Sequence, residues 1–206
     1  MVGLRRTSTE ARELIIAAAA SLITERGPEA VSVVTVMRQA KVSRTTFYRQ
    51  FDGIYDVYAN LIVRVVSELI AEAGSWIAEP EAVGSPDVVH ANLVGYASAF
   101  TKHGELLTAL HAVCGSDARL RELWRDRFIQ PFIDTTTTAI ARDQAAGVVA
   151  ADLDPAATSL ALTLMGEAAS LELLGRQGIE PEEFASIIAP IWISALFGVV
   201  PEWDEP

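Results

Sequence analysis

The chain has 206 residues, half of them apolar, and a formal net charge of −11. That is enough apolar material for a core in one long domain or two short ones, and the acidity excludes a protein wrapped throughout in nucleic acid. Ala, Leu, Ile and Val dominate, which favours helices over a sheet sandwich, and the single cysteine, Cys114, excludes an internal disulfide and a four-cysteine zinc site and fits a reducing cytoplasm.

The N-terminal run MVGLRRTSTEAREL has two early arginines but no long apolar stretch ahead of a small-residue cleavage site, so it does not read as a signal peptide. Thr7 and Glu10 have the spacing of a capping box. Leu14, Ile15, Ala18, Leu22 and Ile23 then recur with helical period as far as Gly27-Pro28. Ser32 suits the N-cap of a short second helix with Val33, Val36, Met37 and Ala40 inward. After the turn Lys41-Val42-Ser43, Ser43 caps a third helix from Arg44 to about Gln50, with Phe47 and Phe51 on its inner side. Two short helices joined by so tight a turn, with a helix in front, form the helix-turn-helix arrangement.

Asp52-Gly53 breaks the chain. A long fourth helix is expected from Ile54 to about Ala78, with Val57, Leu61, Val65, Leu69 and Trp76 in its apolar stripe. A fifth is expected from about Asp87 to Lys102 and a shorter sixth over Glu105–Cys114. A seventh runs from Ala118 to about Ala146 with a bend at Pro131. The eighth, Pro155–Leu174, is closed by Gly175 and Gly178, and the ninth runs from Glu182-Glu183 to Phe197-Gly198 with a kink or break at Pro190. The tail Pro201–Pro206 reads as frayed. The longest apolar runs, Leu14–Ile23 and Ile187–Val200, fall short of the roughly 20 residues that span a bilayer and read as core helices.

Charge is unevenly spread. Residues 1–50 hold eight Lys and Arg against four acids, a balance of +4, and the remainder carries −15. A basic end on an acidic body is expected where one end approaches phosphate. The third helix suits the major groove, where N-terminal residues of a helix meet base edges. Arg44, Thr45 and Thr46 stand there: arginine bonds guanine in bidentate fashion, and threonine bonds a base edge or touches a thymine methyl. Lys41, Ser43, Tyr48 and Arg49 suit phosphates, which set register without reading sequence. Ser32, with the amides that open the second helix, suits another phosphate. The plainer alternative is a helical hairpin in which Phe47, Tyr48 and Phe51 are all core.

The run Ala40-Lys41-Val42-Ser43-Arg44-Thr45-Thr46-Phe47-Tyr48-Arg49-Gln50-Phe51 resembles the signature of the tetracycline-repressor (TetR) family of transcriptional regulators. Gly27 upstream and the all-helical body match as well. The resemblance implies an all-α fold of about nine helices. It comprises a three-helix helix-turn-helix DNA-binding head over residues 1–53 and a helical effector-binding and dimerisation body over residues 54–206. Two positions depart from the pattern. Lys41 stands where a turn glycine is usual; at positive φ it adds strain of roughly 1 kcal/mol. Ile54 stands where a lysine usually touches the DNA backbone, which would lower the salt slope by about one unit.

By the same resemblance, the body's helices surround a pocket for a mostly apolar effector. Its expected lining is Trp76, Tyr96, Phe100, Leu107, Trp124, Phe128, Phe132 and Met165, with Asn92, His103, His111 and Glu167 as polar groups; any one aromatic at helical spacing is more often core than a ligand contact. The last two helices would pair with a second copy through Ala161, Met165, Ala168, Glu172, Ile188, Ile191, Trp192 and Ala195. No catalytic set and no phosphate-cradling loop is present in the sequence, and no cofactor or metal is expected. The expected protein is a cytoplasmic, homodimeric, DNA-binding regulator, a repressor released from a double-stranded operator by a small hydrophobic effector. The alternative is a helical sensor or carrier that has lost specific DNA binding, and an enzyme would need a base and nucleophile pair that the sequence does not offer.

Overall fold

The computed structural model describes residues 7–72 and 84–198. Trp76 and the tail Pro201–Pro206 lie outside the described residues. Among the described residues there is no strand, so the chain is all-α as expected, and no helix is long and apolar enough to cross a membrane. The chain divides into two compact units. One comprises the described residues up to Val65 together with Glu105–Trp124; the other comprises the described parts of Val66–Gly104 and of the chain from Arg125 onward.

In the first unit, helix α1 spans Ser8–Arg26. The Thr7 hydroxyl accepts from the Glu10 amide at 3.2 Å while the Thr7 amide donates to Glu10 Oε2 at 2.8 Å, which is the expected capping box. Gly27 ends α1 at φ 81°, a region that side chains rarely adopt. The buried face of α1 includes Ala11, Ile15, Ala19 and Leu22, whereas Leu14, expected inward, is exposed. A short 3₁₀ turn, Pro28–Ala30, leads to α2 (Val33–Ala40) and α3 (Arg44–Tyr48), both of which pack on α1. Phe47 and Phe51 are fully buried behind α3. Helix α4, Ile54–Glu72, buries Val57, Leu61 and Val65 within this unit and Leu69 in the next.

The expected fifth and sixth helices are one: α5 runs unbroken from Pro86 to Cys114. Gly104, in the gap expected between them, lies inside it. A Cβ added there would sit 3.7 Å from the Phe100 ring and 3.8 Å from Gly175 Cα. Both are ordinary contact distances, so the glycine neither stops the helix nor is required by its neighbours. Helix α6, Ala118–Trp124, follows, and the buried Cys114 thiol donates to Leu120 O at 3.5 Å.

The second unit holds α7 (Gln130–Ala145), α8 (Pro155–Ala169) and α9 (Pro181–Phe197), with π-helical turns at Arg125–Ile129 and Ser170–Gln177. Helix α7 packs along α8. Pro131 has no amide to give to the carbonyl four residues back, and the chain widens into the first π turn just ahead of it. Asp154 caps α8 by accepting from the amides of Ala156 and Ala157, with Pro155 in the first turn as expected. Gly178 at φ 67°, not Gly175, closes that segment. Pro190 does not break α9; the carbonyl it deprives of a donor belongs to exposed Ser186, where water can serve.

Candidate DNA-binding head and effector pocket

The turn between α2 and α3 is built by caps. Ser32 accepts from the Thr35 amide at 3.2 Å, and Thr35 Oγ1 accepts from the Ser32 amide at 2.8 Å, a reciprocal box at the start of α2. Ser43 accepts from the Thr46 amide at 3.1 Å at the start of α3. Between them Lys41 adopts the left-handed region, φ 53° and ψ 46°, and is the one non-glycine residue among those described with positive φ.

This backbone leaves Ser32, Lys41, Ser43, Arg44, Thr45, Tyr48 and Arg49 exposed and Thr46 half-buried. The Arg44 guanidinium lies 5.5 Å from the Tyr48 ring centroid, so the two side chains lean together on the outer face of α3. Phe47 packs edge-on to Tyr48 and tilted against Phe51, so the outer face is braced from within. The plain-hairpin alternative required Tyr48 to be core; it is 46% exposed.

Sequence reasoning missed Arg12, which was counted only as one of the head's positive charges. Its guanidinium turns inward, 4.5 Å from the Phe51 centroid. It donates to Gln50 O at 2.8 Å and to Asn60 Oδ1, and so ties α1 to the end of α3 and to α4. No neighbouring residue signals this bridge, whose partners lie 38 and 48 residues away in the sequence.

In the second unit a cavity of about 40 Å³ opens among α5, α7, α8 and α9. Tyr96 is part of its wall. Its ring meets Phe132 edge-on at 5.6 Å and lies 6.4 Å from Phe184, and Phe128 meets Phe132 edge-on at 5.5 Å. Burial pushes the Tyr96 phenol above its ordinary range, and the neighbouring Glu167 carboxylate pushes the same way. Of the expected lining, Tyr96, Phe128, Phe132 and Glu167 are brought together here. Leu93, Ile129, Thr136, Leu162, Thr163, Gly166, Phe184 and Trp192 complete the wall. Thr163, Gly166 and Glu167 share one stripe of α8 at helical spacing, a signal that could have extended the expected set.

The remaining expected contacts lie elsewhere. Phe100 is packed in the core of the same unit outside the lining, and Asn92 and Met165 are half-buried outside it. His103 sits beside acids of α4, with Nε2 at 3.6 Å from Glu72 Oε1 and Nδ1 at 3.9 Å from Glu68 Oε2. Lys102 bonds Glu72 at 2.8 Å and holds that carboxyl below the usual range. Leu107, His111 and Trp124 belong to the first unit, where the rings of His111 and Trp124 meet edge-on.

Comparison with known proteins supplies a family. Residues 89–198 match the model for the C-terminal domain of the transcriptional regulator EthR, which is over half the chain, and residues 15–61 match that of bacterial regulatory proteins of the tetR family. The chain belongs to the TetR family of transcriptional regulators. The HTH-type transcriptional regulator EthR of Mycobacterium tuberculosis is 26% identical over 94% of this chain and 90% of its own length. That of Mycolicibacterium smegmatis is 24% identical over 95% and 91%. A solved structure assigned to a TetR-family transcriptional regulator of Syntrophomonas wolfei superimposes with a TM-score of 0.71 at 16% identity, covering 91% of this chain and 95% of that one, and this likeness speaks to the fold.

This TetR-family regulator is a DNA-binding protein, and two of the residues expected to pair with a second copy are corrected by their burial. Ile188 and Trp192, expected to meet a second copy, are buried within the chain, and Trp192 lines the cavity. They have almost no surface left to give to a partner. The residues one position earlier, Ile187 and Ile191, are 44% and 46% exposed, and Leu160 and Leu164 of α8 are each 46% exposed. Ala161, Ala168 and Glu172 are exposed, and Met165 and Ala195 are half-buried.

Proposed function

We propose that this regulator is a repressor. Two copies would hold a near-palindromic operator, with their α3 helices in successive major grooves about 34–36 Å apart, and an apolar effector entering the Tyr96 cavity would release them. The observation that carries the reading is the outward, cap-fixed start of α3, with Arg44, Thr45 and Tyr48 exposed over two buried phenylalanines. Arg44 and Thr45 read bases; Ser32, Lys41, Ser43, Tyr48 and Arg49 hold phosphates; Thr46 lies at the edge of the groove. Exposed Leu160, Leu164, Ile187 and Ile191 support pairing of α8 and α9 with those of a second copy. Effector binding would bias α4, whose Tyr55 lies under the Arg119 guanidinium at 3.9 Å. A coupling of about 1–3 kcal/mol would lower operator affinity roughly 5–150-fold. Regulation rather than catalysis is the reading the relatives support, and they do not favour a sensor without DNA binding.

The test is a gel shift on DNA upstream of the protein's own gene. Arg44→Ala is expected to weaken operator binding by about 1–3 kcal/mol and to relax selectivity over random DNA. Unchanged discrimination would remove Arg44 from the reading of bases.

A further inference from the structure

Helix α3 has only five residues, Arg44–Tyr48, and isolated helices shorter than about 12–15 residues barely hold in water. Its orientation must come from its neighbours. Ser43 fixes its start. Its far end is held from α1. Arg12 Nη1 donates to Gln50 O at 2.8 Å, and Gln50 Nε2 donates to Ser8 Oγ at 2.7 Å. Arg12 Nη2 donates to Asn60 Oδ1 on α4, and the guanidinium lies 4.5 Å from the Phe51 centroid. Asn60 is fixed in turn. Its Nδ2 donates to Asp56 O at 2.8 Å and to Asp56 Oδ1 at 3.0 Å, while Asp56 Oδ2 accepts from the Asp52 amide at 3.3 Å. One planar group thus joins α1, the end of α3 and α4 across the Asp52-Gly53 link. A lysine cannot reproduce the joint, because its ammonium has neither the rigid fork nor the flat face.

We propose that Arg12 is a positioning residue for operator recognition. It sets the seat of α3 on α1 and α4, and with it the register of Arg44 and Thr45 on the bases, without touching DNA itself. Its charge is turned toward Gln50, Asn60 and Phe51 rather than toward phosphate. Hydrogen bonds to base edges hold only within a narrow range of distance and angle. Attraction to phosphate falls slowly with distance and carries no sequence information. Displacing α3 therefore removes discrimination before it removes general affinity. This rests on the reading of α3 as the base-reading helix and adds the group that keeps it in register.

The test measures operator and random-DNA affinity on one preparation of each full-length variant, so that any unfolded fraction cancels in their ratio. Arg12→Gln should lower the operator-to-random ratio at least about tenfold, and Arg12→Lys should not restore it. The salt slope on random DNA should stay at the parent's value in both. Asn60→Ala should lower the ratio in the same direction, and the double variant Arg12→Gln/Asn60→Ala should lose no more than Arg12→Gln alone. A slope smaller by about 0.9 in Arg12→Gln but not in Arg12→Lys would make Arg12 a phosphate contact and overturn the proposal. An unchanged ratio in Arg12→Gln, with Arg44→Ala lowering it, would overturn the positioning role and leave base reading by α3 standing. An unchanged ratio in every variant, Arg44→Ala included, would overturn both. Where the Arg12 variants do not fold, Asn60→Ala decides, and an unchanged ratio there overturns the proposal.

Discussion

Lys41 holds a backbone conformation that a side chain resists. At φ 53° its Cβ crowds the neighbouring carbonyl, at about 1–2 kcal/mol for an L-residue in this region. The expectation of strain at this turn is met in geometry. Lys41→Gly should therefore raise stability by about 1 kcal/mol, read as an upward shift in denaturant midpoint at constant slope. If Lys41 also meets a phosphate, the same variant should bind DNA with a salt slope smaller by about one. A more stable variant with an unchanged slope would keep the strain and dismiss the contact. Arg12 shows the opposite limit of reading residues one at a time. In sequence it is one positive charge among eight in the first fifty residues; in the fold it bonds Gln50 and Asn60 and lies against Phe51. Nothing local distinguishes a guanidinium facing solvent from one bridging segments 38 and 48 residues away.

The helices of the head were legible because their signals are local. Capping boxes at Thr7 and Ser32, the cap at Ser43 and the stop at Gly27 are all fixed by neighbours within a few residues. The body was less legible because the outcome at its glycines and prolines is set by their surroundings. Gly104 faces Phe100 and Gly175 with room for a Cβ at ordinary contact distance, and α5 continues through it. Pro131 is absorbed by a widened turn and Pro190 by an exposed carbonyl, and neither outcome is encoded by the proline itself. The cavity was half legible for the same reason. The ring pair Phe128 and Phe132 follows from helical spacing, but Phe184 and Trp192 reach the site only through packing of another helix. That Gly104 is not required can be measured. The added methyl of Gly104→Ala meets Phe100 and Gly175 at ordinary contact distance, and alanine favours a helix interior by about 0.5–1 kcal/mol over glycine. The variant should be as stable as the parent or more so by that amount. A loss of more than about 1 kcal/mol would mean that the backbones are closer than the geometry allows.

For the whole molecule, the remaining unmatched feature is apolar. Leu160 and Leu164 lie one turn apart on α8, as do Ile187 and Ile191 on α9, and each is more than two-fifths exposed. The cavity cannot account for them, because its lining uses Leu162, Thr163 and Gly166 on α8 and Phe184 and Trp192 on α9. A stripe of this kind beside small residues such as Ala161 and Ala168 suits close packing of helices from a second copy. Operator affinity would then depend on it, since one head alone contacts half of a near-palindromic site. Ile191→Glu is the sharpest perturbation: it places a charge on the proposed seam and alters no residue of the lining. The variant should sediment as a monomer at micromolar concentration, keep the parent's helical signal, and lose at least tenfold in operator affinity. Its weak binding to random DNA should persist, because the head's positive charge is untouched. An Ile191→Glu protein that remains dimeric with unchanged operator affinity would remove this face from the assembly and leave the exposed isoleucines and leucines to be explained by some other partner.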